Sequence, residues 1–324
     1  MTIDNFSLHL LSSIKMISLG TDENSKTNKL KNSKTYIMTE YLVISRSNGT
    51  TKTGSPFCTL KLKNLEEELQ IAVWDVKPTD EPCVGQTVSF FAIQDNGDKK
   101  SARKLDMHPG MVPQEGHPLY HLVPRPIKRA LWDECIKHLL SLCKDETLKP
   151  LITEFADVLF KPYSLYPAAT SVHHAFKGGL LNHTYQMLHM LEGIYPVLPY
   201  NNVKLERCIL AILFHDYGKV YEYNKEGEPQ QDMYLLGHIF ISANRLQAEL
   251  LQHNVPAEET TRIVHVVLSH HGELEYGSPI VPATAEAILV NHLDTLSAKL
   301  DVIETTGNME KAFALGTHVI KSER

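Results

Sequence analysis

The fold class predicted for this chain is multidomain: a small all-β barrel followed by an all-α helical bundle. Three observations predict it. Short runs rich in Val, Ile, Thr and aromatics, split by turn signals, fill residues 38–110. A stretch rich in proline and glycine follows. Beyond Pro126 the apolar residues recur at three and four, the period of a buried helical face.

The elements follow in order. The opening MTIDNFSLHLLSSIKMISLG has a short apolar core but carries Asp4 and no basic leader, so it reads as a poor signal peptide. Residues 21–36 are polar and nearly free of apolar side chains, which makes 1–37 a flexible extension, with Met38 opening the first patterned strand. Strands are expected at 41–46, 57–63, 69–76, 86–94 and 101–107, with turns at Asn48-Gly49, Gly54-Ser55 and Asn96-Gly97. Leu60, Leu62, Ile71 and Val73 alternate with polar neighbours, as in half-buried strands. Five strands in about 70 residues suit an OB-type barrel spanning 38–110. Residues 111–125 are read as a linker. The helical domain spans 126–324, with helices expected at 127–144, 146–160, 179–197, 203–215, 232–253, 257–271 and 283–304.

Composition narrows the class further. The 324 residues are 43% hydrophobic and 22% charged, an ordinary globular balance, and the formal charge of −6 argues against blanket binding of polyanions. No run approaches 18 uninterrupted apolar residues, so no membrane span is expected. Cys58, Cys83, Cys135, Cys143 and Cys208 are scattered without a CxxC pair, which fits a reduced, cytoplasmic protein.

The chemistry lies in seven side chains ordered H…HD…H…HH…D: His183, His215-Asp216, His238, His270-His271 and Asp294. Seven is too many for one ordinary metal site and enough for two ions sharing a carboxylate. Such a pair is the clamp used in phosphoester hydrolysis. His215-Asp216 ends the apolar run ERCILAILF, so both side chains sit near a core, where an unpartnered carboxylate is costly. Taken singly, each histidine reads as a satisfied core residue; seven such side chains on separate helices of one bundle do not. Mixed imidazole and carboxylate donors suit Mn best, with Fe, Mg and Zn as alternatives.

These motifs resemble the HD superfamily of metal-dependent phosphohydrolases, whose H…HD…D pattern matches His183, His215-Asp216 and Asp294. SVHHAFKGGLLNHT, FHDYGKV, LSHHGELEYGSP and the segment from Pro282 to Asp301 are similar to the YhaM-type 3′-to-5′ exoribonucleases, over about residues 39–310. The resemblance implies phosphodiester hydrolysis by a metal-bound hydroxide. His183, His215, Asp216 and Asp294 would hold one ion. His238, His270 and His271 would hold the second, with Asp216 the bridge. It also implies that Lys219 contacts the scissile phosphate. His173 and His174 would line the substrate entrance, or His174 would protonate the leaving group.

The implied partner is single-stranded RNA, with DNA as an alternative, and a homo-oligomer fits such families. Arg46, Lys52, Phe57, Lys61, Trp74 and Arg103 are the barrel's candidates for binding the strand by charge and stacking. Other readings stay open: a nucleotide or cyclic-dinucleotide phosphohydrolase with a regulatory barrel, a DNA-linked role like that of conjugative relaxase proteins with a similar GGLLNHT run, or a non-enzymatic strand-binding module with a structural metal.

Overall fold

The structure is a computed structural model that describes residues 39–95, 99–169, 173–198, 202–225, 227–306, 309 and 311–321. The extension over 1–37, Met38 and the Asn96-Gly97 turn lie outside the described residues.

Seven strands form the N-terminal sheet: β1 (Glu40–Thr50), β2 (Pro56–Lys63), β3 (Glu68–Trp74), β4 (Thr87–Phe90), β5 (Gln94–Asp95), β6 (Lys100–Arg103) and β7 (Met107–Pro109). Their order is β5-β6-β3-β2-β1-β4-β7. The β1–β2 hairpin turns at Gly54, whose φ of +87° is open to glycine at little cost. Asn64 shapes the β2–β3 turn by accepting from the amides of Glu66 and Glu67 at 2.8 Å each. Leu60, Leu62, Ile71 and Val73 are fully buried, as their alternation predicts.

The strand expected at 101–107 is two strands. β6 runs parallel to β3, a three-residue 3-10 turn follows at Lys104–Asp106, and β7 pairs antiparallel with β4 on the opposite side of the sheet. A link of three residues can join both sides only because the sheet is curled on itself. The result is an OB-like half-barrel drawn together by one bent strand. The strand expected at 86–94 is likewise two pieces, β4 over 87–90 and Gln94 at the start of β5; Phe90 enters the core while Phe91 is exposed.

The segment from 111 to 125 is bonded at both ends. Met111 accepts from the Thr87 amide at 3.1 Å, His117 lies 3.1 Å from Glu40, and Asn182 accepts from Ile127 and donates to the Arg125 carbonyl, each at 2.9 Å.

The helical region contains α1 (Arg129–Leu142), α2 (Lys149–Tyr163), α3 (Gly179–Ile194), α4 (Leu205–Phe214), α5 (Lys219–Glu222), α6 (Gln231–Leu235), α7 (His238–Gln252), α8 (Ala257–Leu268) and α9 (Ala285–Thr305). α4 is its axle: Cys208 to Phe214 are all buried, and Tyr163 donates to the Leu213 carbonyl at 2.6 Å. The sheet and the bundle have separate cores.

The helix expected at 232–253 is broken. Gly237, at φ +74°, cannot continue it, and the chain restarts as α7 at His238. Tyr234, Leu235 and Leu236, which look like part of a buried stripe, are exposed instead. Among the described residues no helix is long and apolar enough to cross a membrane.

Candidate metal centre

The bundle brings all seven side chains of the H…HD…H…HH…D pattern to one place. His183 projects from the second turn of α3, and His215 caps the C-terminus of α4 with Asp216 in the turn beyond. His238 is the first residue of α7, His270 and His271 follow α8, and Asp294 lies midway along α9. Three glycines permit the approach. A Cβ on Gly179 would lie 1.9 Å from the His174 carbonyl oxygen, and one on Gly218 would lie 2.4 Å from that of His238. Gly178, at φ +86°, opens α3 in the left-handed region. His174 itself sits at φ +46°, a backbone conformation that costs a non-glycine residue about 1–3 kcal/mol.

Every candidate histidine is anchored through Nδ1. His183 meets the Ser297 hydroxyl at 2.9 Å, His215 the Ile212 carbonyl at 2.8 Å and His238 Glu222 at 3.1 Å. His270 meets the Val267 carbonyl at 2.6 Å and His271 that of Tyr276 at 2.9 Å. Pinning Nδ1 turns each Nε2 towards the shared centre, the arrangement that fixes a metal-binding imidazole's tautomer. At that centre, the Nε2 atoms of His174, His183, His215 and His270, and Oδ1 of Asp216, are buried without a hydrogen-bond partner. Buried polar atoms are nearly always satisfied, so a cluster of orphans calls for a cation.

Asp216 divides the cluster. Its Oδ2 lies 3.3 Å from His215 Nε2 and 3.8 Å from His183 Nε2, while its Oδ1 lies 3.6 Å from His238 Nε2 and 3.8 Å from His270 Nε2. His183 Nε2 is also 3.0 Å from Asp294 Oδ1. Two donor groups result, each with its atoms within 4.8 Å of one another: His183, His215 and Asp294, and His238, His270 and His271. A third, His173, His174 and His183, adjoins the first.

Charge follows geometry. Burial pushes the Asp216 carboxyl up, but Lys219 and then His215 pull it well below its ordinary value. Lys219 Nζ, 2.8 Å from Asp216 Oδ2, is itself held above its ordinary value by that carboxylate against the opposing effect of burial. Burial lowers His270 far below 6.5, and burial followed by His238 lowers His271. Neutral His270 and His271 beside an ionised Asp216 suit a divalent metal, while at His215 burial lowers the imidazole but Asp216 raises it above its ordinary value. His174, pushed down to about 2 by burial and then His183, is neutral.

Glu222 is missing from the sequence reading. Buried in α5, it accepts from the His238 amide at 2.6 Å as well as meeting His238 Nδ1. Its one available signal is an acidic residue three positions after Lys219, where the helix face is turning inward. Ser297, 2.9 Å from His183 Nδ1, and Gln186, which accepts from the Ser297 hydroxyl at 2.8 Å, are equally hidden because their role depends on α9 meeting α3.

On the sheet, four of the six strand-binding candidates share the solvent face. Phe57 pairs in register with Trp74, and Trp74 with Arg103. The two rings lie 5.4 Å apart, and Phe57 covers Gly49, where a Cβ would come within 2.6 Å of its ring. Lys61 is two rungs away on the same face and Lys52 is at the exposed hairpin tip. Arg46 is placed differently: its guanidinium is bonded to the carbonyls of Lys77, Asp80 and Pro82, so it latches a loop. Arg103 is paired with Asp106 at 3.0 Å, and Lys63, Lys100 and Lys104 also have acidic partners, which offsets much of the face's charge.

Comparison with known proteins agrees with this geometry. The HD domain family matches residues 180–299, the span that holds all seven side chains. The 3′-5′ exoribonuclease YhaM of Geobacillus sp. (strain WCH70) is 30% identical over 282 residues, covering 82% of this chain and 83% of that protein. YhaM of Bacillus subtilis (strain 168) is 29% identical over 284 residues, covering 82% and 86%. That of Bacillus velezensis is 28% identical over 277 residues, covering 82% and 85%. Alignments of this length exceed the helical region alone and take in the sheet. The chain is therefore a hydrolase of the metal-dependent phosphohydrolase class, and it belongs to the YhaM family of 3′-5′ exoribonucleases.

Proposed function

We propose that this protein removes nucleotides from the 3′ end of single-stranded RNA at a centre where the seven side chains around Asp216 would hold two divalent ions. The observation that carries the reading is the division of Asp216 between two histidine sets, with the buried Nε2 atoms of His183, His215 and His270 lacking hydrogen-bond partners. His183, His215, Asp216 and Asp294 would hold one ion, and His238, His270 and His271 the other with Asp216 between. Divalent ions there supply an activated water and neutralise charge on the phosphate. The mixed donor set favours Mn, with Fe next.

The chain's own residues do the rest. Lys219 offers a permanent positive charge for a phosphate oxygen. His174 lines the same centre, where it would offer a hydrogen bond, a further donor atom or the leaving group's proton. Glu222 and Ser297 hold His238 and His183 in place. Phe57 and Trp74 give bases a stacking surface, with Arg103, Lys61 and Lys52 for the backbone. Arg46 is left out because its guanidinium is already bonded to three carbonyls.

The test is a time course on 5′-labelled single-stranded RNA and matched DNA with Mn, Mg, Fe(II) or Zn, beside Asp216→Ala. A metal-dependent ladder shortening from the 3′ end and absent in the variant is expected. Strands left intact under every metal would sink the reading and point to nucleotides or cyclic dinucleotides.

A further inference from the structure

Away from the metal centre, α1 and α3 face each other with four metal-type side chains at matched spacing. Cys135 and His138 stand one turn apart on α1, and His189 and Glu192 one turn apart on α3. Ligand atoms of Cys135, His189 and Glu192 all lie within 4.8 Å of one another. His189 Nδ1 is 2.7 Å from Glu192 Oε2, and His138 Nδ1 closes on the other oxygen, Oε1. Tyr185 stacks on the His189 ring at 5.6 Å, with the planes 7° apart, and so fixes its orientation. Cys135 is buried at the floor of the group, while His138 and His189 are open to solvent and give an ion a way in.

The geometry points to a second, separate metal site: a zinc-type ion held by Cys135, His189 and Glu192, clipping α1 to α3, with His138 steadying Glu192 from its other oxygen. Ligands at 2.0–2.3 Å around a tetrahedral ion stand roughly 3.3–3.7 Å apart, so contraction within side-chain reach closes the three-residue set. A thiolate with an imidazole and a carboxylate selects a soft or borderline ion such as Zn over Mg, Ca or Mn. Without an ion the group is held by protons. Burial and then Glu192 push the Cys135 thiol up to about 12. Burial pushes the Glu192 carboxyl up, but its bonds to His138 and His189 hold it below its ordinary value. Binding exchanges the thiol proton for the ion: the S–H bond breaks, an S–metal bond forms, and the proton leaves to solvent. The clip lies about 9 Å along α3 from His183, so it would steady the helix that carries a donor of the metal centre.

Cobalt(II) distinguishes the two sites, because only a cysteine-containing one gives a near-ultraviolet thiolate-to-cobalt charge-transfer band. Titration of the full chain carrying Asp216→Ala, in which the metal centre is crippled, should give that band at one equivalent, with displacement by zinc. Cys135→Ser should remove it. His189→Ala with Glu192→Gln, the first exposed and the second isosteric, should weaken binding by more than the roughly 10–100-fold typical of losing an outer-shell partner. Absence of the band, its survival in Cys135→Ser, or unchanged affinity in the double variant would overturn the assignment.

Discussion

At the scale of single residues, the site depends on carboxylates and carbonyls that never touch the reacting atoms. Glu222 is the sharpest case, because it alone turns His238 towards Asp216. Glu222→Gln keeps the shape but weakens the hold on the imidazole, and metal affinity at the His238 set should fall about 10–100-fold. Isothermal titration with Mn would measure it, and an unchanged second binding event would remove Glu222 from the site. That the seven side chains of the H…HD…H…HH…D pattern belong together was legible in the sequence, since histidine and aspartate at the ends of apolar helices are expensive without a purpose. Glu222, Ser297 and Gln186 were not, because ordinary polar residues acquire a role only when a partner helix brings the ring to them.

At the scale of elements, glycines decide how closely the segments approach. Gly179→Ala places a methyl 1.9 Å from a backbone oxygen that also bonds the Ala168 and Phe176 amides, so neither side can yield cheaply. A loss of at least about 3 kcal/mol is expected, the upper end for overpacking, read as a fall in the denaturation midpoint. A variant as stable as the parent would show that the loop from His173 to Gly178 moves freely.

The N-terminus of α4 gives a pH signature. Lys204 and then Thr147 hold the Asp145 carboxyl below its ordinary value, and Arg207 and Lys204 overcome burial to do the same for Glu259. Carboxyls depressed in the folded state contribute stability that is complete above about pH 5 and drains away as pH falls below about 4. Thermal melts of the parent should decline through that window, and those of Arg207→Met less steeply. Parallel slopes would assign acid sensitivity elsewhere.

Helix positions were legible from period alone, but the break at Gly237 was not. An isolated glycine in an apolar run is tolerated in many helices, and only the bond from the His238 amide to Glu222 shows why the chain restarts there. The bent β6–β7 strand was hidden for a similar reason: its residues alternate suitably throughout, and which neighbour each half pairs with is a matter of topology.

For the whole molecule, catalysis and strand capture are assigned to separate cores, so they should respond separately to mutation. Phe57→Ala with Trp74→Ala should raise KM for long RNA, each lost stacking contact costing about 1–3 kcal/mol. Turnover of a small model phosphodiester should be unaffected. Equal losses on both substrates would mean that the aromatic pair supports the fold rather than the substrate. The pairing of a barrel with a helical hydrolase was readable from the abrupt change of period near Pro126. The barrel's outer face was only half readable, because alternation gives which residues face outward but not that Arg46 would be bonded to its own loop.

The curled sheet also bears on how these molecules treat each other when crowded. Its two outermost strands, β5 and β7, are only two and three residues long, and they are drawn together by the turn between β6 and β7. At these two ends a neighbouring chain therefore finds only two or three residues of backbone on which to extend the sheet, and such extension is the usual nucleus of fibrous precipitation. Growth of the sheet from β5 or β7 is disfavoured on that ground.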